Sequence, residues 1–304
     1  MNVTVLFGGP SAEREVSLVS GRSVIDALRS MGHAVFGSDV SPTNLSGLDH
    51  PADVIFPVLH GQFGESGELQ EILEQRNLAF VGSGSGASRL GMNKVKTKQA
   101  WQAAGLPTPV YRVIRRGEDF GEIPGPCVVK AIDSGSSIDV YVCKAPPEGP
   151  PPEAPAAVEK VLAKHEAVLV EQFIDGAELT VGLLEEEPLA PIRIVPRRAF
   201  FDYEAKYKSS DTEHRFDTGL PAAVVEQCRD LARKANAVVG ARDLARVDIM
   251  LDQHQSPYLL EINTLPGFTP KSLLPEAAKH AGIEFGPLVD LLVRRAHQRK
   301  RAAA

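Results

Sequence analysis

The sequence predicts an α/β protein whose N-terminal part is a parallel sheet covered by helices. Strand-like and helix-like patterns alternate through roughly the first 85 residues, and this order is typical of parallel sheets. A strand at 3–7 is followed by a glycine turn and by a helix in which Val16, Val24 and Leu28 recur at helical spacing. The chain has 304 residues, whereas single hydrophobic cores stop growing at about 250 to 300 residues. Two or three compact units are therefore expected.

Further elements follow in chain order, each predicted from its hydrophobic pattern and its turn residues. Strands are predicted at 33–40, 53–59, 78–82, 127–131, 139–143, 167–173 and 178–185, and helices at 67–77, 94–105 and 224–240. A hairpin at 245–263 comes after the last of these helices. The elements predict three domains, with limits at 1–93, 94–175 and 176–304.

Three segments lack a clear strand or helix pattern. Residues 146–155 carry six of the 23 prolines, which favours polyproline II, so a surface connection is expected there. Residues 201–219 are polar with little periodicity and predict either disorder or a functional lid. The C-terminal stretch RRAHQRKRAAA is predicted to be a frayed, solvated helix end.

Composition and charge exclude several classes of protein. The net charge is −6 and the sequence pI is about 5.8, so the broad basic face that nucleic-acid binding requires is not expected. No apolar run approaches the ~20 residues of a membrane span, and the N-terminus resembles a strand rather than a signal peptide. Three cysteines without a CxxC spacing predict reduced thiols and a cytoplasmic protein.

The strongest local group of polar residues lies in the hairpin. Side chains alternate along a strand, so Arg246 and Asp248 share one face, as do Glu261 and Asn263 on the next strand. If the hairpin is symmetric about its loop and has no bulge, Asp248 lies opposite Glu261 and Arg246 opposite Asn263. Opposed carboxylates destabilise a sheet unless a cation neutralises them, and such oxygens suit Mg²⁺ beside phosphates, with a solvated charged face as the alternative. The opposite face is predicted to be apolar, with Val247, Ile249, Leu251, Tyr258, Leu260 and Ile262.

Other polar residues have weaker support from the sequence. The loop Gly135-Ser136-Ser137 joins two strands and can offer backbone N–H groups to phosphate oxygens, although short polar turns are common. Lys94 and Lys130 adjoin apolar segments and can hold phosphate charge, although most lysines only solvate a surface. Glu13, after the glycine turn, can bind an ammonium group or favour the helix dipole. His60 ends a strand, and a lone histidine is more often structural than catalytic.

These motifs together resemble a known family. The segments GGPSAEREVSLVSG, HGQFGESGELQ, FVGSGSGASRLGMNKVKTK, VEQF, GAELTVG, FDYEAKY, ARVDIML and LEINTLPGFTPKSLLP resemble those of the D-alanine–D-alanine ligases, in order and over nearly the whole chain. The resemblance implies a three-domain ATP-grasp architecture, with ATP between the central and C-terminal domains and two Mg²⁺ ions, which Mn²⁺ can replace. It implies phosphorylation of one D-alanine carboxylate, attack by the amine of a second D-alanine, and a role in peptidoglycan synthesis. It also implies a homodimer.

The resemblance further implies a role for each matching residue. For the nucleotide these are Lys94, Lys130, Ser137 and Lys206, with Glu171 and Ile174 at the adenine and Glu178 at the ribose. For the metal ions they are Asp248, Glu261 and Asn263. For the substrates they are Glu13 at an ammonium, Arg246 at the reacting carboxyl, Ser272 and Leu273 at the second carboxylate, and Gly267, His60, Ser136 and Tyr207 around them. Lys206 and Tyr207 would belong to a lid that excludes water.

Some positions depart from the family pattern. Asp139 stands where a glycine is usual, Ser66 where an acid is usual, and Asn93 where an aspartate is usual. An acid beside the phosphate loop would repel ATP. Asp139 therefore motivates an alternative hypothesis, a weakened ATP-grasp protein that binds nucleotide or peptide without turnover. A ligase with a different acceptor is the other alternative.

Overall fold

The computed structural model describes residues 1–119, 121, 125–135, 139–144, 151–196 and 212–302. Its helices are α1 (Arg14–Ser30), α2 (Glu68–Gln75), α3 (Ser85–Met92), α4 (Lys94–Ala103), α5 (Ala154–Leu162), α6 (Ala222–Val239), α7 (Leu273–His280) and α8 (Phe285–Ala302), with a 3₁₀ helix at Ser46–Asp49. Its strands are β1 (Asn2–Gly8), β2 (Ala34–Val40), β3 (Val54–Pro57), β4 (Tyr111–Arg115), β5 (Cys127–Ala131), β6 (Val140–Cys143), β7 (Ala167–Gln172), β8 (Ala177–Leu184), β9 (Glu187–Pro188), β10 (Ile192–Pro196), β11 (Thr212–Arg215), β12 (Leu244–Leu251) and β13 (Pro257–Asn263). None of the helices in these ranges is long and apolar enough to span a membrane.

The N-terminal sheet is parallel, as predicted, with the strand order β2-β1-β3. The full strand predicted at 78–82 is wrong, because there Phe80 forms only a single parallel bridge with Ile55. The chain leaves the sheet at Gly82, whose φ is 101°, a conformation that glycine adopts without steric cost. The Gly82 N–H donates to Asp243 Oδ2 at 2.7 Å, so a side chain just before β12 takes the bond that a longer ladder would have used.

Helix α8, the last of the chain, completes the core of this N-terminal layer. Leu288, Val289 and Leu292 are buried in the same hydrophobic cluster as Val3 and Val24 of the N-terminal elements. The first and last parts of the sequence therefore share one core.

The C-terminal basic stretch is helical and anchored at Arg299, so the prediction of a frayed, solvated end is wrong as far as this residue. Arg299 donates to both carboxylate oxygens of Asp243 and to the carbonyl of Phe80. Asp243 is 1% exposed, and a buried carboxylate needs such partners. Arg295 also reaches outside the helix, with its Nε 3.2 Å from Glu185 Oε1. The physical reason is that α8 places Arg295 and Arg299 beside carboxylates outside the helix, those of Glu185 and Asp243.

The second sheet is antiparallel, with the order β4-β7-β5-β6. The sequence analysis did not predict β4, whose five residues are too few to show a decisive alternation. Helix α5 covers the sheet with Val158 and Val161, and it carries Pro155 in its first turn. The predicted polyproline connection is therefore wrong at its C-terminal end, because proline lacks only an N–H that a first helical turn leaves unpaired. Residues 145–150 lie outside the described part of the chain.

The third sheet has the order β11-β10-β8-β12-β13, with β9 beside β8. Of the polar segment at 201–219, residues 201–211 lie outside the described ranges. The remainder contains β11, which pairs with β10, and the buried Thr218. This remainder is therefore an ordered strand and turn.

Helix α4 packs against the third sheet, although it begins the predicted central domain. Trp101 is buried in the cluster of β8, β12, β13 and α6, and its Nε1 donates to the carbonyl of Ala235 at 3.2 Å. The limits predicted for the three domains remain a prediction.

Candidate active site

The hairpin β12-β13 has the predicted pairing at its polar end. Asp248 lies opposite Glu261, and Arg246 lies opposite Asn263. The side chains predicted to share a face are thus brought together by the ladder.

A bulge follows this pairing, so the assumption of a regular hairpin is wrong beyond Asp248. Ile249 pairs with Leu259, which leaves Leu260 as an extra residue. Leu259 is consequently buried in the core, and Leu260, predicted on the apolar face, lines a cavity instead. Tyr258 is also moved, because it pairs with Met250.

Two cavities adjoin the hairpin. The larger, of about 400 Å³, lies between the second and third sheets and is lined by Lys130, Val142, Glu171, Ile174, Glu178, Asp248 and Met250, among others. The smaller, of about 40 Å³, is lined by Glu13, His60, Glu65, Arg246, Asn263 and Gly267, among others. Of the described residues, Lys94, Ser134 and Glu261 line both cavities. The two cavities therefore share a wall.

Lys94 holds this shared wall together. Its Nζ donates to the carbonyl of Ser134 at 2.6 Å and lies 3.5 Å from Glu261 Oε2. The residue stands at the first position of α4, where Asn93 Oδ1 accepts the backbone N–H of Lys96 at 2.9 Å. Asparagine and aspartate cap helices about equally well, so the departure at Asn93 preserves the helix start that places Lys94.

The carboxylate of Asp248 accepts three side-chain hydrogen bonds. Arg246 Nε and Nη2 donate to its two oxygens at 2.9 and 2.8 Å, and the Thr180 hydroxyl donates to Oδ1 at 2.6 Å. Both members of the ion pair are buried. A bidentate pair of this kind holds the guanidinium in one plane. The alternative of a solvated charged face does not fit this burial.

The predicted metal ligands contain only two carboxylates. In the described part of the chain, no three His, Cys, Asp or Glu side chains gather where they could hold a metal ion. Asp248 and Glu261 face each other, and Asn263 adds an amide whose Oδ1 accepts the N–H of Leu265 at 2.8 Å. All of these donors are hard oxygen atoms. Such a small number of protein ligands is suitable for Mg²⁺, because phosphates and water supply its other ligands.

Glu171 in the larger cavity is paired with two lysines. Lys130 contacts Oε1, and Lys98 Nζ lies 2.8 Å from Oε2. Burial alone disfavours the Glu171 carboxylate, but Lys130 and Lys98 outweigh it and lower its pKa. Burial also opposes the charge of Lys130, but nearby carboxylates, Glu171 first, outweigh it and raise the pKa of that ammonium. Sequence reasoning missed Lys98, although its position four residues after Lys94 places both on one helix face.

The smaller cavity contains the predicted Glu13 and His60, both buried. It also contains Glu65, which was not predicted. Glu65 Oε2 accepts the N–H of Gly61 at 2.9 Å, and its Oε1 lies 3.4 Å from His60 Nδ1. Phe63, in the same turn, has φ 72°, and such strained backbone often accompanies functional loops. A carboxylate five residues after His60 in a glycine-rich turn was the available sign.

Gly267 lines the smaller cavity, whereas its predicted neighbours do not. A Cβ on Gly267 would lie 3.4 Å from Ser272 Oγ. Ser272 precedes the first residue of α7, Leu273, as predicted, and its Oγ accepts the N–H of Thr269 at 3.0 Å. Neither Ser272 nor Leu273 is among the described residues that line this cavity, and Leu273 packs against the N-terminal core.

Asp139 is paired with Lys164 and also contacts His165, so it is not the uncompensated acid from which a repulsion of phosphates was expected. Its carboxylate accepts from Lys164 Nζ at 2.7 Å and lies 3.3 Å from His165 Nε2, with the side chain 7% exposed. The residue has φ 55°. Glycine adopts this left-handed conformation freely, and aspartate tolerates it better than most residues. The backbone thus explains why glycine is usual at this position.

We expect Asp139→Asn to lower the free energy of unfolding by about 1 kcal/mol at pH 7. Burial opposes the charge of Asp139, but the bonds from Lys164 and His165 outweigh it and lower its pKa below 3.8. A carboxylate with a lowered folded pKa stabilises the fold above its unfolded pKa, and this contribution is lost as the pH falls through the folded pKa. Urea unfolding should therefore show a difference that shrinks below pH 4. Asp26→Asn, at an exposed carboxylate of α1, is the control, and an Asp139→Asn effect independent of pH would contradict the assignment.

Four predicted site residues lie outside the described residues, and their roles stay predictions. They are Ser136, Ser137, Lys206 and Tyr207.

Family models and known proteins match this chain over most of its length. A family model described as D-ala D-ala ligase C-terminus matches residues 100–294, and one described as D-ala D-ala ligase N-terminus matches residues 37–83. A D-alanine–D-alanine ligase of Gloeobacter violaceus is 41% identical over 304 residues, which covers 97% of this chain and 99% of that protein. A D-alanine–D-alanine ligase of Stutzerimonas stutzeri is 44% identical over 292 residues, with coverages of 94% and 91%.

Solved structures show the same similarity. The crystal structure of D-alanine–D-alanine ligase from Bacillus anthracis superposes with a TM-score of 0.88 at 29% identity and covers 100% of both chains. The structure of that enzyme complexed with ATP superposes with a TM-score of 0.85 at 27% identity, also over 100% of both chains.

Proposed function

The chain belongs to the D-alanine–D-alanine ligase family, and from this premise we propose how its two cavities divide the work. It is an ATP-dependent, ADP-forming ligase of the ATP-grasp fold, which joins two D-alanines to D-alanyl-D-alanine for peptidoglycan synthesis. In the proposal, the larger cavity takes ATP and the smaller takes the first D-alanine. The observation that carries it is their shared wall of Lys94, Ser134 and Glu261, across which a phosphoryl group can reach a carboxylate.

The chemistry explains why two adjoining sites are needed. A carboxylate is a poor electrophile, because its leaving group would be oxide. An oxygen of the first D-alanine's carboxylate attacks the γ-phosphorus of ATP, and ADP leaves. The amine of the second D-alanine then attacks the carbonyl carbon, phosphate leaves, and the nitrogen loses a proton. Water must be kept out between these steps, because it would hydrolyse the acyl phosphate.

The proposal assigns the substrate contacts to buried polar side chains. Glu13 would accept the ammonium of the first D-alanine, and Glu65 would orient His60 beside it. Arg246, held in plane by Asp248, would stabilise the oxyanion that develops on the reacting carboxyl. The backbone N–H groups at the start of α7 would bind the second carboxylate.

The nucleotide contacts follow from the larger cavity. Lys94 and Lys130 would hold phosphates, Glu171 and Ile174 would border the adenine, and Glu178 would hold the ribose, since all five line it. Asp248, Glu261 and Asn263 would hold the Mg²⁺ ions, which when bound neutralise charge on the phosphates.

We also propose a cytoplasmic homodimer. A sedimentation mass of one chain would contradict the dimer.

The decisive experiment measures phosphate release and dipeptide formation with ATP, MgCl₂ and D-alanine. We expect phosphate and dipeptide to appear in equal amounts, and release to stop when L-alanine replaces D-alanine. Asp139 no longer supports a non-catalytic protein, because its charge is paired. Nucleotide binding without D-alanine-dependent phosphate release would nevertheless overturn the proposed function.

A further inference from the structure

Lys98 is a buried cation behind the larger cavity, and none of the roles assigned above uses it. Its side chain is 1% exposed, and its Nζ lies 2.8 Å from Glu171 Oε2. The Nζ also donates to Thr108 Oγ1 at 2.6 Å, and the Thr108 hydroxyl donates to the carbonyl of Leu259 at 2.8 Å. Burying an ammonium is costly unless it is paired and hydrogen-bonded, and Lys98 has both kinds of partner. Its position is thus held from two sides.

Helix α4 delivers Lys98 to this place. Lys94 and Lys98 are four residues apart and therefore lie on one face of the helix. Both are buried, whereas Lys96, between them, is exposed. The same helix face thus supplies two cations: Lys94 to the shared wall, and Lys98 to the side of the larger cavity that contains Glu171.

The charges around Glu171 do not cancel. Lys130 pairs with one of its carboxylate oxygens and Lys98 with the other. Two ammonium groups and one carboxylate leave this group of three with one net positive charge, apart from the carboxylates of Glu178 and Glu261 that also line the cavity. Without Lys98, Lys130 and Glu171 would form a neutral pair, and the attraction of this group for phosphates would largely vanish.

We propose that Lys98 is a positioning residue of the nucleotide site. Lys98 adds a second positive charge to the pair that Lys130 forms with Glu171, so that this group of three attracts the phosphates of ATP beside Lys130. Lys98 itself acts through Glu171 and does not touch the nucleotide. The inference rests on the proposed function, in which Lys130 faces the phosphates.

The test compares ligands with and without phosphates. The affinities of ATP and adenosine are measured by titration calorimetry without D-alanine, so that no turnover occurs. Lys98→Met should weaken ATP roughly tenfold or more, because one charge is lost at intermediate dielectric, and should leave adenosine unchanged. Lys98→Arg should keep the ATP affinity near that of the wild type. Lys96→Met, on the exposed face of the same helix, is the matched control and should change neither ligand.

A double variant separates charge from shape. Lys98→Met with Glu171→Gln removes one positive and one negative charge, so Lys130 again carries the net positive charge. The ratio of ATP to adenosine affinity should then return towards the wild-type ratio. A purely structural role of Lys98 predicts instead that the double variant is no better than the single one. If Lys98→Met does not fold, the single variant Glu171→Gln is compared with the double variant, since these two differ only at Lys98. The ratio of ATP to adenosine affinity should be higher in Glu171→Gln, which keeps the Lys98 charge.

The outcomes distinguish the inference from the proposed function. Equal weakening of ATP and adenosine in Lys98→Met, or no recovery in the double variant, would overturn the role of Lys98 while leaving the ligase intact. A wild-type protein that does not bind ATP would overturn the proposed function itself.

Discussion

Asp248→Asn is expected to lower the rate of D-alanine-dependent phosphate release about a thousandfold or more, a loss of roughly 4 kcal/mol of transition-state stabilisation. The carboxylate faces Glu261 across the hairpin and accepts both bonds that hold the Arg246 guanidinium. An amide keeps the shape of the side chain but removes the charge that a cation needs, and it cannot accept both Arg246 bonds. Glu261→Gln should have a comparable effect. Steady-state kinetics at saturating ATP and D-alanine measure both losses.

A control separates the charge of Asp248 from its local bonding. Thr180→Val removes the hydroxyl that donates to Asp248 Oδ1 but leaves the carboxylate in place, so it should cost only about 1 kcal/mol. The Mg²⁺ dependence of ADP binding gives a second measurement that does not require turnover, and it should weaken in both charge variants. Rates near those of the wild type in Asp248→Asn and Glu261→Gln would refute the metal assignment.

Arg299→Ala is expected to destabilise the protein by about 3 kcal/mol, because removing one partner of an ion pair leaves the other charge buried. Asp243 would keep the N–H of Gly82 but lose both bonds from Arg299, and the carbonyl of Phe80 would lose its donor. Thermal unfolding should show a lower melting temperature. Arg301→Ala, at an exposed position of the same helix, should change stability little. A melting temperature equal to that of the wild type in Arg299→Ala would mean that the C-terminal end is solvated after all.

The local sequence pattern was sufficient to predict those parts of the structure that depend on neighbouring strands and helices alone. The alternation of side chains predicted the shared faces in β12 and β13, and a hairpin symmetric about its loop predicted that Asp248 faces Glu261; the ladder confirms this pairing. The parallel N-terminal sheet followed in the same way from the alternation of strands and helices. The bulge at Leu260 could not be predicted, because a ladder can absorb one extra residue wherever packing favours it. Here Leu259 is buried in the core in place of Leu260, which was predicted there.

Residues that depend on partners far along the chain were beyond the reach of the sequence. Asp139 looked like an unpaired charge until Lys164 and His165 were seen beside it. Glu171 is paired with Lys98 in the same way, over a separation that no local pattern records.

The sequence by itself determined the α/β class, the order of most strands and helices, the hairpin that carries the predicted metal ligands, and, through its motifs, the family. Only the tertiary structure decided which charges are neutralised and which stay available. The shared wall of the cavities, the buried pair of Lys98 and Glu171, and the anchoring of α8 by Arg299 and Asp243 all join distant segments. The reason is physical: periodicity reports the face that a residue occupies on its own element, whereas the free energy of a buried charge depends on which other charges the fold brings within a few ångströms.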